Sequence, residues 1–456
     1  MIQVDSRKIK YGDTFVAIKG LYTDGHDFIE KAIENGAKKI VAEHGNYSVE
    51  TEIVEDTRVY LANYLKEKYK EKLSKIKFIG LTGTNGKTTS CYLMYQALNK
   101  LGMKTAYIGT IGFYVDGKVK DLDNTTPDLL DLYEMFEYCI NHNVEAIAME
   151  VSSHALALDR VLGLEFDFAC FTNLTQDHLD FHHDFKNYEE AKLKLFSMLR
   201  NERIAIINAD DPYHKDFMLP QNKNITYGTF ENADFNIEQY KLNIDSCEFT
   251  LKFNNQIYEI KINIPGKYNI YNYMNLFILL LNMGYSVETI LNLTENLQAP
   301  SGRFETLKYK DSSIVIDYAH TPDAMENILD SVEEYKQGKI ITIIGCGGDR
   351  DTTKRPIMGR IATDKSDYVI FTNDNPRTED QKKIMDDIIS GCEKDNYEIE
   401  YDREKAIGIG ISKLQDKDIL LILGKGHEDY QVIGTEKVHC SDLEIAQKFI
   451  DKSKEQ

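Results

Sequence analysis

The chain has 456 residues, and its 54 Lys and Arg residues against 74 Asp and Glu residues give a net charge of −20 at pH 7. At about 150 residues per domain, this length predicts about three domains, and 42 % apolar residues are typical of a folded globular protein. The acidic charge disfavours non-specific binding to nucleic acid or to an anionic membrane surface. Its apolar runs are also too short to span a bilayer, so we expect no nucleic-acid partner and no membrane span.

Cysteine usage and the N-terminal residues predict where the protein works. Seven cysteines are scattered singly, and no Cys-x-x-Cys occurs. This spacing is typical of a reducing compartment and predicts neither a disulfide framework nor a zinc site. The first residues lack the basic start and the apolar segment of a signal peptide. We therefore expect a cytoplasmic protein.

Residues 1–75 are predicted to form a small α/β domain. Apolar periodicity favours strands at 14–18 and 39–42 and a helix at 27–35. A lysine-rich helix at 61–73 follows, and we interpret it as a solvated connector between domains.

Residues 76–298 are predicted to form the second domain. Short apolar runs alternate with helical stretches, which indicates a mostly parallel sheet covered by helices on both faces. The predicted strands are 78–82, 105–108, 146–149, 168–172 and 204–208. Alternating apolar residues within 234–264 predict an antiparallel flap, after which helices continue to about residue 297.

The third predicted domain, residues 299–456, begins at the breaker cluster Ala299-Pro300-Ser301-Gly302. The alternation of strands and helices then restarts, with one helix from Pro322 and a last helix that ends near Phe449. The predicted strands are 314–317, 340–344, 368–371 and 419–423. This pattern predicts a second open α/β sheet of Rossmann-like type.

A glycine-rich segment between a predicted strand and a predicted helix is the sharpest signal. It reads Gly83-Thr84-Asn85-Gly86-Lys87-Thr88-Thr89. Glycines let backbone N–H groups approach phosphate oxygens, and the helix N-terminus adds partial positive charge. Lys87 is placed to reach the β- and γ-phosphates of a bound nucleotide, and the Thr88 hydroxyl is placed to hold Mg²⁺. The strict phosphate-loop pattern is not met, because Leu81 stands where its first glycine belongs.

The predicted fold class is therefore α/β with three domains. A small N-terminal α/β domain precedes a central P-loop ATPase domain, which has a mostly parallel sheet and an antiparallel flap. A Rossmann-like α/β domain completes the chain.

Two polar residues follow neighbouring predicted strands. Glu150 ends one strand, and His178 follows the next one along the chain. Ligands bind at the carboxyl ends of strands in open α/β sheets, so a carboxylate and an imidazole here could bind a divalent cation beside the phosphates. We interpret His182 and His183 as ordinary core or surface residues. From the residues alone, Lys192 reads as a solvated helix lysine.

Together these segments resemble the Mur ligase family, the ATP-dependent amide-forming enzymes of peptidoglycan precursor synthesis. The resemblance spans nearly the whole chain, and so many ordered matches make chance negligible. It is carried by Asp5-Ser6-Arg7, the phosphate loop, Thr125-Thr126-Pro127, 150–156, Thr172-Asn173-Leu174, Asp177-His178, 188–192, 208–211, 302–305, 317–322, 347–350, Asp374-Asn375-Pro376-Arg377 and 424–428. The family pattern has a leading segment before Asp5, which this sequence lacks, and we expect that difference to bear on the uracil end of the substrate site.

The resemblance implies a role for each matched residue. The UDP-muramoyl substrate is implied to contact Ser6, Thr125, Thr126, Ser152 and Arg160. ATP is implied to contact Gly83, Thr84, Asn85, Gly86, Lys87, Thr88, Thr89, Asn269, Asn272, Arg303, Asp317 and His320. The implied Mg²⁺ ligands are Thr88, Glu150, His178 and Lys192 as a carbamate; Lys87, Lys192, His178 and Glu150 form the implied catalytic set. The amino-acid substrate is implied to contact Arg350, Asp374, Asn375, Pro376, Arg377, Gly424 and Glu428.

The resemblance also implies a reaction. Residues 1–75 would bind the UDP-muramoyl dipeptide, 76–298 would bind ATP, and 299–456 would bind the amino acid. The implied amino acid is meso-diaminopimelate, which would be joined to the D-glutamate carboxyl group through an acyl phosphate. The chain is expected to be a monomer whose partners are these small molecules.

Three alternatives stay open at this point. The first is a sibling ligase that adds L-lysine or has relaxed specificity for the amino acid. Such a ligase would differ mainly around Arg377. The second is a folylpolyglutamate synthase, a family that shares the phosphate loop but lacks both the small first domain and the Asp-Asn-Pro-Arg motif. The third is a catalytically silent ATP-binding partner protein, which loss of Lys87, Glu150, His178 or Lys192 would have indicated.

Overall fold

The computed structural model describes residues 1–20 and 23–454, which form three successive units, each built on its own main sheet. The first unit has a parallel sheet of four strands in the order β1-β2-β3-β4. Its strands are β1 (Ile2–Gln3), β2 (Thr14–Val16), β3 (Lys39–Ala42) and β4 (Glu50–Ile53), with one helix, α1 (Ile29–Glu34), and 3₁₀ turns at Ser6–Lys8 and Gly25–Phe28. The predicted helix at 27–35 thus begins as a 3₁₀ turn, which Asp24 caps by accepting a hydrogen bond from the His26 N–H.

The solvated connector predicted at 61–73 is wrong. Helix α2 (Thr57–Leu73) buries Leu61, Leu65, Tyr69 and Leu73 in the core of the central unit. These residues recur at a spacing of four, so they share one face of the helix while the lysines occupy the other. The helix is therefore part of the packed structure.

The central unit is built on an eleven-stranded sheet in the order β15-β14-β13-β12-β11-β10-β5-β9-β6-β7-β8. Its strands are β5 (Lys77–Thr82), β6 (Thr105–Gly109), β7 (Gly112–Val115), β8 (Lys118–Lys120), β9 (Ala146–Glu150), β10 (Phe166–Phe171), β11 (Leu199–Asn208), β12 (Lys223–Gly228), β13 (Phe235–Leu242), β14 (Cys247–Phe253) and β15 (Gln256–Ile262). Its helices are α3 (Lys87–Lys100), α4 (Leu129–Asn141), α5 (Ser153–Ala157), α6 (Leu179–His182), α7 (Phe185–Ser197), α8 (Lys267–Asn282) and α9 (Val287–Thr294).

The middle of this sheet is parallel and both ends are antiparallel. The antiparallel flap predicted within 234–264 is present as β13, β14 and β15, and it continues the main sheet because β13 pairs with β12. Apolar residues pack on both faces of the sheet, and its central parallel strands β6, β9 and β10 are buried along their whole length.

The C-terminal unit has a six-stranded sheet in the order β16-β17-β21-β18-β19-β20, in which only the β16–β17 pair is antiparallel. Its strands are β16 (Glu305–Tyr309), β17 (Ser312–Asp317), β18 (Ile340–Ile344), β19 (Tyr368–Phe371), β20 (Tyr397–Ile399) and β21 (Ile419–Leu423), and a separate hairpin is made by β22 (Tyr430–Ile433) and β23 (Glu436–His439). Its helices are α10 (Pro322–Glu333), α11 (Lys354–Lys365), α12 (Gln381–Ile389), α13 (Arg403–Lys413) and α14 (Asp442–Lys454).

The helix predicted from Pro322 is confirmed. Pro322 occupies the first turn of α10, where its missing N–H costs nothing, and Thr321 caps the helix by accepting a hydrogen bond from the Ala324 N–H. Within the described residues, every helix is too short or too polar to cross a membrane.

Candidate active site

The phosphate loop extends from the carboxyl end of β5, which lies between β9 and β10 in the sheet. Gly83 and Gly86 have φ angles of +147° and +85°. A Cβ atom at Gly83 would lie 1.9 Å from Thr172 Oγ1, and one at Gly86 would lie 2.3 Å from Asn272 Oδ1. Both positions therefore require glycine, and Gly86 leads directly into the N-terminus of α3.

Lys87 lies at the first position of α3 and is partly buried. Its Nζ donates hydrogen bonds to the carbonyl oxygens of Gly83 and Thr84, each at 2.8 Å. Burial lowers the pKa of Lys87, and the nearby Glu150 carboxylate acts in the opposite direction. The lysine is thus folded back over the loop, where a phosphate group could replace the carbonyl oxygens as its partner.

Glu150 is fully buried and faces the loop, because the sheet places it opposite Leu81 of β5. Oε2 accepts a hydrogen bond from Thr88 Oγ1 at 3.0 Å, and Oε1 accepts one from the Thr110 N–H at 2.9 Å. The Tyr107 hydroxyl donates a further bond to Oε1. Among the described residues, no Lys, Arg or His forms an ion pair with this carboxylate. A buried carboxylate without a cation is a poor structural element but a good cation ligand.

The oxygen atoms around Glu150 fit a magnesium ion. Mg²⁺ prefers hard oxygen ligands and keeps few protein ligands when it also binds phosphates, and the Glu150 carboxylate with the Thr88 hydroxyl supplies such a pair. Across residues 1–20 and 23–454, no group of three or more His, Cys, Asp and Glu side chains is placed to hold a metal. Any ion here would therefore depend on hydroxyl, phosphate or modified side-chain ligands.

His178 lies in the segment between β10 and α6, in a left-handed conformation with a φ of +55°. Its ring is 4.7 Å from that of His154, and its Nε2 is 3.3 Å from Asp177. Burial lowers the pKa of His178 to about 3, which keeps the imidazole neutral and able to act as a ligand. His182 is buried against Tyr188 and His183 is exposed, which agrees with their interpretation as ordinary residues.

Lys192 contradicts the expectation of a solvated helix lysine. It is 1 % exposed, and its Nζ donates to the Gly83 carbonyl at 2.8 Å, the same oxygen that accepts from Lys87. Its Nζ also lies 4.4 Å from the centre of the Tyr188 ring. Burial and the Lys87 ammonium lower the pKa of Lys192 well below its usual range. Two lysines thus meet at one carbonyl of the phosphate loop.

Four of the five residues expected at the UDP-muramoyl site lie together next to Glu150. Thr126 Oγ1 donates to the Glu150 carbonyl at 2.9 Å and accepts from the Ser152 N–H at 3.0 Å. Arg160 Nη1 donates to the Thr126 carbonyl at 3.2 Å, and Thr125 Oγ1 is 3.2 Å from Thr110 Oγ1. Ser6 belongs to the first unit and shares no hydrogen bond with these residues in the described chain.

Residues of the C-terminal unit reach the phosphate loop directly. Arg303 Nη2 donates to Thr88 Oγ1 at 3.2 Å, and Asn85 Nδ2 donates to Asp323 Oδ2 at 2.7 Å. On the other side of the loop, Asn272 lies against Gly86 and donates to Asn269 Oδ1 at 2.8 Å. The loop is therefore enclosed by two units of the protein.

Asp317 and His320 lie behind Arg303. Asp317 accepts hydrogen bonds from the backbone N–H groups of Phe304 and Ala319, at 2.7 and 2.8 Å. Burial raises the pKa of Asp317 and lowers the pKa of His320 to about 4. In the described chain neither side chain is hydrogen-bonded to the phosphate loop. The bond from Phe304 to Asp317 holds the segment that carries Arg303, whereas His320 Nδ1 lies 2.8 Å from the Tyr318 carbonyl oxygen.

The residues expected at the amino-acid site converge in the C-terminal unit. Asn375 Nδ2 donates to Glu428 Oε2 at 3.0 Å, and a Cβ atom at Gly424 would lie 3.0 Å from Asp374 Oδ2. Arg377 and Arg350 both face Gly347. Pro376 is buried in the same loop. The site thus combines the Glu428 carboxylate with two arginines, of which Arg377 Nη1 donates to the Gly348 carbonyl at 2.9 Å and Arg350 Nη1 to the Asp349 carbonyl at 3.0 Å.

Sequence reasoning missed several residues of these sites. Tyr107 and Thr110 hold Glu150, but only the pairing of β6 with β9 brings them there. Asp323 contacts Asn85 across two units, which no local pattern reveals. Lys425 lies inside a recognised motif, Gly424-Lys425-Gly426-His427-Glu428, so a signal existed for it.

The loop, the buried carboxylate and the adjoining Rossmann-like unit define a nucleotide-binding α/β enzyme. Comparison with models of known protein families identifies the family to which the chain belongs. The model of the Mur ligase catalytic domain matches residues 1–80, that of the Mur ligase middle domain matches 81–280, and that of the Mur ligase glutamate ligase domain matches 302–426. The chain belongs to the Mur ligase family, whose members are ATP-dependent ligases that form amide bonds.

Individual proteins give the same result. The chain is 43 % identical to the UDP-N-acetylmuramoyl-L-alanyl-D-glutamate–2,6-diaminopimelate ligase of Clostridium botulinum, over 98 % of this chain and 94 % of that protein. It matches a solved structure of a ligase of that name with a TM-score of 0.73 and 29 % identity, over 99 % of this chain and 95 % of the other. The MurF ligase of Thermotoga maritima, solved in complex with ADP, shares the fold with a TM-score of 0.68 and 19 % identity, over 99 % and 98 % of the two chains.

Proposed function

We propose that the protein adds meso-2,6-diaminopimelate to UDP-N-acetylmuramoyl-L-alanyl-D-glutamate, with ATP as the energy source, in cytoplasmic peptidoglycan precursor synthesis. The observation that carries this proposal is that Asn375 contacts both Glu428 and Arg377. Its Nδ2 donates to Glu428 Oε2, its carbonyl accepts from Arg377 Nη1 at 3.4 Å, and Arg350 lies beside the same arginine at Gly347. A carboxylate for an ammonium group and guanidinium groups for carboxylates match both ends of a diamino dicarboxylic acid.

The proposed reaction proceeds in two steps. An oxygen of the D-glutamate carboxylate attacks the γ-phosphorus of ATP, the bond to the β-phosphate oxygen breaks, and ADP leaves. The amine of the amino acid then attacks the acyl phosphate carbon, phosphate leaves with the C–O electron pair, and the amine loses a proton. Such a transfer depends on positioning and charge neutralisation, which Lys87 and the loop N–H groups provide.

We propose that Thr88, Glu150, His178 and a modified Lys192 hold Mg²⁺ when ATP is bound. The ion would supply positive charge that offsets the phosphates. Thr88 and Glu150 are already joined, and Arg303 contacts the same hydroxyl, so the protein keeps these groups together before any ion arrives.

We also propose that Lys192 is carbamylated. Its amine is buried, lies beside a second lysine and has no carboxylate partner in the described chain. The nitrogen of a neutral amine forms a bond to the carbon of carbon dioxide and releases one proton to solvent, which leaves an anionic carbamate with oxygen atoms that can act as ligands. This change would remove the repulsion between Lys87 and Lys192 and complete the oxygen set around the loop.

The remaining roles follow the order of the units. We propose that 1–75 bind the UDP-muramoyl substrate, with Ser6 among its contacts, while Thr125, Thr126, Ser152 and Arg160 hold its muramoyl end. Residues 76–298 would bind ATP, with Asn269, Asn272, Asp317 and His320 near the nucleotide, and 299–456 would bind the amino acid. The working form is proposed to be a monomer.

The alternatives predict different behaviour. An L-lysine-adding or relaxed sibling would not need two guanidinium groups at the amino-acid site. A folylpolyglutamate synthase would not need the four-stranded first unit. A silent ATP-binding partner would not need a buried lysine against its phosphate loop.

Phosphate release by the full-length protein tests the proposal. ATP, Mg²⁺ and UDP-muramoyl-dipeptide are supplied together with diaminopimelate, and each component is omitted in turn. We expect release only in the complete mixture, with one phosphate for each tripeptide product identified by its mass. Release that does not depend on the UDP-muramoyl dipeptide would contradict the proposed function.

A further inference from the structure

A buried lysine supports the amino-acid site from behind. The Lys425 side chain has no exposed surface, and its Nζ donates to Glu428 Oε2 at 3.1 Å, to Asn375 Oδ1 at 3.5 Å and to the Tyr430 carbonyl oxygen. An ammonium group with no exposed surface cannot meet a substrate. Lys425 can therefore act only through the groups that it holds.

These partners fix the orientation of the Asn375 amide. Its Oδ1 accepts from Lys425 and from the Val432 N–H at 2.9 Å, and its Nδ2 donates to Glu428 Oε2 at 3.0 Å. Both bonds to Glu428 end on Oε2, and in the described chain Oε1 accepts none. That second oxygen is left for a positively charged group of a ligand.

The same arrangement places Arg377. Its N–H donates to the Val432 carbonyl at 2.9 Å, and its own carbonyl accepts from the Gly434 N–H at 2.8 Å. Gln431 Nε2 donates to the Asp374 carbonyl at 2.8 Å. The hairpin of β22 and β23 is thus paired with the loop 374–377, and Lys425 joins that hairpin, through Tyr430, to Glu428.

We propose that Lys425 is the positioning residue of the amino-acid site, which holds Asn375, Glu428 and the hairpin in one arrangement so that Glu428 and Arg377 grip the incoming amino acid together. The inference rests on the proposed function, because it concerns the amino-acid site of that reaction. It assigns no contact between Lys425 and any substrate.

The hairpin offers a matched control. Lys425 and Lys437 both place Nζ over the Tyr430 ring, at 5.5 and 4.3 Å from its centre. Lys437 is exposed and has no hydrogen bond to Asn375 or Glu428 in the described chain. Replacing each with Met removes one charge from the same ring, but only Lys425→Met removes a buried link to Asn375 and Glu428.

The test measures KM for each substrate of the full-length enzyme by phosphate release. For Lys425→Met we expect KM for diaminopimelate to rise about 30-fold or more, with KM for ATP and for the UDP-muramoyl dipeptide within about twofold of wild type. Lys437→Met should leave all three within about twofold. An unchanged KM for diaminopimelate, or an equal rise in all three constants, would overturn the inference.

A double variant separates positioning from misfolding. If Lys425 acts through Glu428, Lys425→Met/Glu428→Gln should have nearly the same KM for diaminopimelate as Glu428→Gln, because coupled residues are not additive. This comparison remains possible even if Lys425→Met alone does not fold, because the double variant has no Glu428 carboxylate left without its lysine. A KM for diaminopimelate in the double variant that is far above that of Glu428→Gln would overturn the inference. A wild-type enzyme that is inactive with diaminopimelate would refute the proposed function itself, whereas an active wild type with insensitive Lys425 variants refutes only the role of Lys425.

Discussion

The phosphate loop and the amino-acid loop are held in different ways. The phosphate loop rises from the middle of a buried parallel sheet, and its shape is set by close packing at Gly83 and Gly86 and by two lysines on one carbonyl. The amino-acid loop, 374–377, follows strand β19 of the C-terminal sheet and is paired with a hairpin that is largely exposed.

We expect the two loops to serve different steps, the phosphate loop in phosphoryl transfer and the amino-acid loop in the choice of amino acid. A change in the phosphate loop affects a step that every amino acid shares, so it should lower turnover with all substrates alike. If the proposed function holds, a change in the amino-acid loop should alter how well each amino acid is accepted and leave phosphoryl transfer itself unchanged.

The largest effect is expected at Lys87. Lys87→Ala removes the cation that faces the phosphates, and we expect turnover to fall by about 10³-fold or more, with diaminopimelate and any slower substrate affected equally. Phosphate release measures this loss, and the thermal unfolding midpoint checks that the fold survives. A variant that ligates at nearly the wild-type rate would remove the phosphate loop from the mechanism.

Lys192→Ala should be the next most damaging. We expect phosphate release to fall by about 10²- to 10³-fold, and short carboxylic acids should restore part of it by replacing the carbamate. Lys186 on the same helix is the matched control, because its side chain is 83 % exposed; Lys186→Ala should be neutral. Intact-protein mass at high dissolved CO₂ gives a second readout, and a bare ammonium in a metal-bound crystal structure would refute the carbamate.

Arg377→Ala tests the other side of the comparison. Loss of a charge-assisted contact with the distal carboxylate should cost about 2–5 kcal/mol, or roughly 30- to several thousand-fold, in kcat/KM for diaminopimelate. Arg377→Lys should restore this only in part, because an ammonium cannot copy the planar fork. KM for ATP should stay unchanged, and an equal loss with ATP would show that the two loops are not separate.

The smallest effect concerns stability in acid. Arg355 is fully buried and forms an ion pair with Glu379. Glu379 also accepts a hydrogen bond from the Asp349 N–H at 3.0 Å. The Arg355 guanidinium lowers the pKa of Glu379 from 4.5 to about 2. Because the folded-state pKa lies below the unfolded one, the pair stabilises the fold above about pH 4.5, and this stabilisation is lost as the pH falls towards 2.

Urea unfolding at pH 6 and pH 3 measures that contribution. Glu379→Gln should lower stability more at pH 6 than at pH 3. Glu404→Gln breaks an exposed ion pair with Lys448 and should change stability by about 0.5 kcal/mol or less at either pH. An equal loss from Glu379→Gln at both values would show that its charge is not involved.

The same comparison explains what the sequence could predict. The phosphate loop, the position of Glu150 at a strand end and the Rossmann-like unit follow from periodicity and glycine spacing, which are local signals. The burial of Lys192 and the contacts of Tyr107 with Glu150 depend on how distant strands and helices pack, so they could not be read from local patterns. The apolar residues of α2 recur at a spacing of four, which indicates a buried face, but the many lysines between them led to the prediction of a solvated helix. The hairpin of β22 and β23 buries little, so it gave no strand signal.

The most direct test of the account is the preference of the wild-type enzyme for meso-diaminopimelate over L-lysine. L-Lysine lacks the distal carboxylate, so it would leave a guanidinium group of the site unpaired. With ATP, Mg²⁺ and UDP-muramoyl-dipeptide fixed, we predict that kcat/KM for diaminopimelate exceeds that for lysine by roughly 30-fold or more, and that Arg377→Ala removes most of this margin. Equal use of the two amino acids by the wild type, or a ratio unaltered in Arg377→Ala, would contradict the account and favour a lysine-adding or relaxed ligase.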